Sequence, residues 1–182
     1  EIKIRFIGNC SLYMTDGISN IYIDFPYKSG AYNLMEYNSS ELDSIKSHQI
    51  FIFTHKHKDH YSGRLVKKLA NKLHGEIYTP WTVKKLSELN EKTPDFHIKA
   101  IKTKHKYSIN HYSYLITWHN KKIYISGDTE HIDAFVSQKD IDLAFIPIWI
   151  VMNANENDIK LSDISDKFAI YHIHQGVNIT GT

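Results

Sequence analysis

Between an apolar run, "QIFIFT", and a stretch with helical spacing, "SGRLVKKLANKL", the chain sets three histidines and an aspartate in six positions. The segment "FTHKHKDHYSG" carries His55, His57, Asp59 and His60. With twelve histidines and twelve aspartates among 182 residues, chance yields H-x-H-x-D-H in roughly 0.3% of such chains, so the cluster is read as chemistry rather than coincidence. His55 and His57, two apart in extended backbone, project to one side and can share an ion. Asp59 and His60 fall in the turn before the helix and can face a second one. Four ligands this close in sequence do not close comfortably on one ion, so a pair of ions is expected. Imidazole suits zinc, iron or manganese, and a carboxylate suits a hard or borderline cation.

A two-ion site needs ligands from elsewhere, one of them bridging. "ISGDTEH" offers Asp128 directly after an apolar run, "TKHKYS" offers His105, and "IYHIHQG" offers His172 and His174. His111 lies six residues beyond His105 and competes with it. His172 and His174 alternate along one predicted strand and share a face.

The elements between these residues place them at strand ends. "IKIRFIG" alternates Ile2, Ile4 and Phe6 against Lys3 and Arg5, as a half-buried strand does. "SLYMT" and "NIYIDF" follow, then a Gly-, Tyr- and Asn-rich loop from Pro26 to Asn38. "SSELDSIK" is expected as a short helix capped by Ser40. The next helix carries Leu65, Leu69 and Leu73 at i, i+4, i+8, with Ser62 as its cap. "EIYTP" reads as a strand and "TVKKLSELN" as a helix. "FHIKAIKT", "YSYLITWH" and "KIYIS" read as strands, the last two joined by a hairpin through Asn120. A helix at "HIDAFVSQ", a buried strand "DLAFIPIWI", a helix "LSDISDKF" and a strand "AIYHIH" complete the chain. Strands that precede and then alternate with helices allow helices to cover both outer faces of two stacked sheets.

Composition excludes little but is consistent. One domain spanning residues 1–182 is expected, with 42% hydrophobic and 23% charged residues. A net charge of +2 gives no argument for a nucleic-acid partner. Cys10, the one cysteine, excludes an intramolecular disulfide. No apolar run reaches the ~18 residues of a membrane span. The protein is therefore expected to be soluble, either cytoplasmic or exported after removal of a leader. Asn38 and Asn178 open short N-x-S/T patterns.

The ordered set of H-x-H-x-D-H, a lone histidine, "SGDT" and a strand ending in histidine resembles the metallo-β-lactamase superfamily over nearly the whole chain. "GNCSLYMTDGISNIYIDFPY" and "DLAFIPI" resemble the branch of small hydrolases similar to ascorbate-6-phosphate lactonase. Asn9 departs from that branch, which often has histidine there. Trp149 and Ile150 stand where related chains often turn through glycines. The resemblance implies an α/β fold, a four-layer αββα sandwich. It implies that His55, His57 and His105 bind one ion, that Asp59, His60 and His174 bind a second, and that Asp128 bridges them. The ions would be zinc foremost, with manganese or iron as alternatives.

The expected activity is metal-dependent hydrolysis of an ester, lactone or phosphoester by a metal-bridging hydroxide. Asp59 would be the catalytic group that orients the nucleophile and exchanges its proton. Lys56, Lys58, Lys104 and Lys106 flank the ligands and would favour an anionic small-molecule substrate. A nuclease or phosphodiesterase of the same superfamily and a metal-binding protein without turnover are the alternatives. Loops around Pro26 to Asn38 and Pro147 to Asn157 would set the substrate.

Overall fold

The computed structural model describes residues 1–174; the pattern at Asn178 lies outside them. Ten strands form two five-stranded mixed sheets. The first has the order β1 (Lys3–Gly8), β2 (Ser11–Thr15), β3 (Asn20–Ile23), β4 (Ile50–Ile52), β5 (Glu76–Tyr78). The second has the order β10 (Phe168–Tyr171), β9 (Leu143–Pro147), β8 (Lys121–Ile125), β7 (Ser108–Trp118), β6 (Phe96–His105). Each sheet joins an antiparallel hairpin edge (β1–β2–β3 and β6–β7–β8) to a parallel half (β3–β4–β5 and β8–β9–β10).

The apolar strands are apolar because both of their faces are covered. On β3 and β4, Ile21, Ile23, Ile50 and Ile52 point between the sheets, where they meet Ile98, Tyr114, Ile116, Trp118, Ile123, Ile125 and Phe145. Their neighbours Tyr22 and Phe51 point outward into a second cluster with Ile45 and Val66. That face is covered by α1 (Ser40–Asp43) and α2 (Gly63–Leu73). On the second sheet Tyr124, Ala144 and Ile146 point outward against Phe135 of α4 (Asp133–Val136) and Ile150 and Ala154 of α5 (Ile148–Glu156). α3 (Leu86–Lys92) sends Leu86 and Leu89 into the central cluster. The result is the four-layer αββα sandwich.

Several local expectations are corrected. β1 carries a register shift between Phe6 and Gly8. Ile2 and Ile4 pack inward, Phe6 is 46% exposed, and Ile7 joins the outer cluster. Ser40 does not cap α1 but begins it; the Asn38 side chain accepts from its amide at 3.0 Å. Ser62 precedes α2 without a side-chain capping bond. Pro147 ends its strand, and Ile148 to Glu156 is α5 rather than strand or loop, as suits proline just before a first helical turn. "LSDISDKF" forms only a single 3-10 turn, Leu161–Asp163. β10 stops at Tyr171, since His172 takes a positive φ of 60° that ends extended backbone. The β7–β8 hairpin turns through His119 and Asn120, both at positive φ, the geometry that matches strand twist in a two-residue turn.

Trp118 is fully buried and packs edge-on against Phe96 at 5.5 Å. Its indole N–H has no hydrogen-bond partner. Trp118→Ala is expected to cost about 3–5 kcal/mol by leaving a cavity between the sheets. Trp118→Phe should cost clearly less, because the ring contact survives and an unpartnered donor is removed. Denaturant unfolding of the two variants checks the order.

Candidate metal centre

The predicted residues other than His174 meet at one end of the sandwich, where strands of both sheets run out. The first sheet supplies Asp24 after β3, Thr54 and His55 just beyond β4, and His57, Asp59 and His60 from the loop into α2. The second supplies His105 at the end of β6, His111 in β7, Asp128 after β8 and His172 after β10. Asn9 and Cys10 come from the β1–β2 turn.

The histidine loop is shaped by a buried carboxylate. Asp24, 1% exposed, accepts from the Thr54 amide and the Thr54 hydroxyl, both at 2.7 Å, and from Nδ1 of His60 at 2.8 Å. With its proton given to Asp24, the Thr54 hydroxyl is an acceptor for Nδ1 of His55, 3.0 Å away. Both imidazoles are thereby oriented with Nδ1 on its outer partner and Nε2 facing the centre, as outer partners commonly do for metal-ligating histidines. The loop is closed by the His57 carbonyl, which accepts from the amides of His60 (3.0 Å) and Tyr61 (2.8 Å). It is tied to the neighbouring loop by bonds from the Lys28 amide to Lys58 O and from the Ser62 amide to Pro26 O.

Asp128 sits at the middle. Its Oδ2 lies 3.0 Å from Nε2 of His60 and 3.0 Å from Nε2 of His172, and 3.9 Å from Nε2 of both His55 and His105. His105 Nε2 is 3.1 Å from His57 Nδ1, and His105 Nδ1 is 3.1 Å from Glu130. Asp59 Oδ2 stands 3.4 Å from His60 Nε2 and 3.3 Å from His172 Nε2. His55, His57 and His105 thus form one group and Asp59, His60 and His172 another, with Asp128 reaching both.

His174 is not brought into this cluster. It is exposed, two residues past the end of β10, and His172 occupies the place expected for it. The strand ends earlier than its alternation suggests, so His172 rather than His174 reaches the cluster. His111 is fully engaged otherwise. Its Nε2 accepts from the Asp128 amide at 2.9 Å, and its Nδ1 stands 2.6 Å from Thr103 Oγ1. It holds the backbone of Asp128 and has no lone pair left for an ion. Gly127 makes this possible: its φ is +60°, and a Cβ there would lie 2.7 Å from His111 Nε2.

Charge and burial are set against each other here. Burial holds His55 well below its ordinary pKa and lowers His111 to about 3. For His172 burial also disfavours charge, but the carboxylates of Asp128 and Asp59 outweigh it and raise the pKa to about 9. Asp59 and Asp128 are held well below the carboxylate range despite burial, by the imidazoles of His172 and His60 beside them. The carboxylates call for positive charge among them. The Nε2 atoms of His55 and His60 are buried with no hydrogen-bond partner. Unpartnered buried acceptors beside buried carboxylates are costly unless something binds them. This donor set, imidazole nitrogens around carboxylate oxygens, fits divalent metal.

Asp24, Thr54, Thr103, Asn9 and Trp149 were not singled out as site residues from the sequence. Asp24 had a signal, a carboxylate directly after an apolar strand, the same signature that marks Asp128. Trp149 of α5 packs edge-on to His172 at 5.0 Å and donates from Nε1 to the Thr129 carbonyl. Asn9 donates to the Asp59 carbonyl at 3.1 Å and its carboxylate at 3.4 Å. Only the fold reveals these last contacts.

No family model and no curated protein matches the chain. Solved structures do. A proposed metal-dependent hydrolase from Parabacteroides distasonis aligns at TM-score 0.65 and 20% identity, over 98% of this chain and 84% of that one. Igni18, a metallo hydrolase from the archaeon Ignicoccus hospitalis, aligns at TM-score 0.68 and 16% identity, over 94% and 82%. The metallo-β-lactamase fold protein YhfI from Bacillus subtilis aligns at TM-score 0.68 and 17% identity, over 97% and 88%. The chain has the metallo-β-lactamase fold. Among the described residues no helix is long and apolar enough to cross a membrane.

Gly127→Ala is expected to destabilise the protein by about 1–3 kcal/mol, since it adds strain at positive φ to a clash with His111. Gly17→Ala also sits at positive φ, but nothing lies within 4 Å of its added Cβ; it should cost less. Urea unfolding of both variants separates clash from backbone strain.

Proposed function

We propose that this protein is a metal-dependent hydrolase of small ester, lactone or phosphoester substrates, working with two divalent ions, zinc foremost. The observation that carries it is Asp128 Oδ2, within 3.9 Å of histidine nitrogens from both groups while the His55 and His60 Nε2 atoms lack partners. His55, His57 and His105 would hold one ion, Asp59, His60 and His172 the other, with Asp128 shared. His172 here replaces the expected His174. The hydrolase names of two fold neighbours support the reaction class, and the lactone option follows from the resemblance of the first strands.

Divalent ions in such a site supply Lewis acidity and bring the pKa of bound water toward neutrality. The chain's own residues do the rest. Asp59, 3% exposed and held ionised, is placed to orient the attacking group and take or return its proton. Asn9 donates to the Asp59 carbonyl and to the same carboxylate oxygen that faces His60 and His172. Asp24 and Thr54 keep His60 and His55 in one orientation. Trp149 walls the His172 side. Lys56, Lys58, Lys104 and Lys106, next to the ligands in sequence, are all exposed. Lys56 Nζ lies 4.0 Å from the centre of the exposed Trp81 ring and 5.4 Å from Tyr61, so its charge is positioned rather than free. These charges favour an anionic substrate.

Metal-replete protein should carry about two divalent ions per chain. His172→Ala should lose one of them and His174→Ala none, as read by elemental analysis after dialysis. Retention of both ions by His172→Ala would remove His172 from the ligand set. Asp59→Asn should lower turnover on a lactone, ester and phosphodiester panel by about 10²–10⁴; a variant within a few fold of wild type would end the proton-handling role. Raising salt should weaken turnover of anionic substrates more than neutral ones, and Lys56→Gln should shrink that difference.

A further inference from the structure

We infer that Cys10 is a sulfur ligand of the second ion, beside His60, Asp128 and His172. The inference rests on the metal-centre reading above and adds to it a residue and a preference among metals.

Cys10 is 2% exposed, and its Sγ lies 3.9 Å from Asp128 Oδ1, the carboxylate oxygen turned away from the histidines. The turn that carries it is stitched down on both sides. Asn9 is bound through its side chain to Asp59, and the Ser11 hydroxyl donates to the Asp24 carbonyl at 2.5 Å. The sulfur therefore faces the centre by construction rather than by side-chain wandering. One donor atom from each of Cys10, His60, Asp128 and His172 lies within 4.8 Å of every other. Around a tetrahedral zinc ion, with bonds of about 2.3 Å to sulfur and about 2.1 Å to nitrogen, neighbouring ligand atoms stand roughly 3.6 Å apart. Closing the four donors onto an ion therefore draws them together by up to about 1.2 Å.

A buried thiol alone would be ordinary packing. A second observation points to a ligand here. His60 Nε2 belongs to a fully buried ring, makes no hydrogen bond among the described residues, and stands 3.0 Å from Oδ2 of the same Asp128 carboxylate whose Oδ1 the sulfur approaches. An apolar filler would have sufficed for packing at position 10, whereas sulfur adds a donor where three others converge. On binding, the S–H bond breaks, its proton leaves to solvent, and a sulfur–metal bond forms; no electron changes hands. A thiolate shifts a nitrogen and oxygen site toward zinc, iron(II) and cobalt and away from manganese and magnesium.

Cobalt(II) titration into metal-stripped full-length protein tests this. Wild type should develop a near-ultraviolet sulfur-to-cobalt charge-transfer band as the second site fills. Cys10→Ser and Cys10→Ala, checked for folding by far-ultraviolet circular dichroism, should bind cobalt and lack the band. Two cobalt ions bound by wild type without the band would overturn the assignment of Cys10 while leaving the metal centre standing. So would an identical band in the variants. Failure of wild type to bind cobalt at all would overturn the metal centre itself, and Cys10 with it.

Discussion

The Asp24 carboxylate is the contact on which the site depends. It is buried, and three donors converge on it: the Thr54 amide, the Thr54 hydroxyl and the His60 imidazole. A buried carboxylate tolerates this environment because its lone pairs are filled. Through Thr54 it determines how His55 presents itself, and through His60 it reaches Asp128. The end of β3 and the end of β4 are thus locked to each other before any ligand geometry is considered. The second sheet repeats the device in neutral form, with Thr103 fixing His111 and His111 holding the Asp128 amide.

Much of this was legible in the chain. Strands buried on both faces show as apolar runs, and their ends show as sudden polar residues, so His55 and Asp128 announce themselves. The sandwich follows from the order of elements. What escaped notice has a physical cause in each case. His172 and not His174 lies in the cluster because alternation gives the face of a strand but not its last residue. His111 competed with His105 because a histidine whose two nitrogens are occupied by neighbours reads the same as one with a lone pair to offer. The first turn of α5 reads as strand and the rest as loop because Ile148, Trp149 and Ile150 are equally apolar in either state, and only the lone Pro147 hints at a helix start. Asn9 and Cys10 belong to a turn whose contacts are all distant in sequence.

The centre also concentrates what a fold normally avoids. Two nearly buried carboxylates, Asp59 and Asp128, face each other across His60 and His172. Each is held ionised by imidazoles that burial would otherwise keep neutral. Such mutual dependence makes the group intolerant of single losses: removing one member strands the charge of another. The surrounding sandwich, with three separate apolar clusters, is what keeps these groups in place.

The division of the site between the two sheets has a mechanical consequence. His55, His57, Asp59 and His60 hang from one sheet, and His105, Asp128 and His172 from the other. An ion held by both sets, as proposed, would fasten the layers at their open end, as a rivet joins two plates. With a single cysteine the chain has no covalent way to do this. Ligand exchange at the centre and the parting of the two sheets would then be aspects of one motion, and the protein's resistance to unfolding would follow the metal supply of its surroundings.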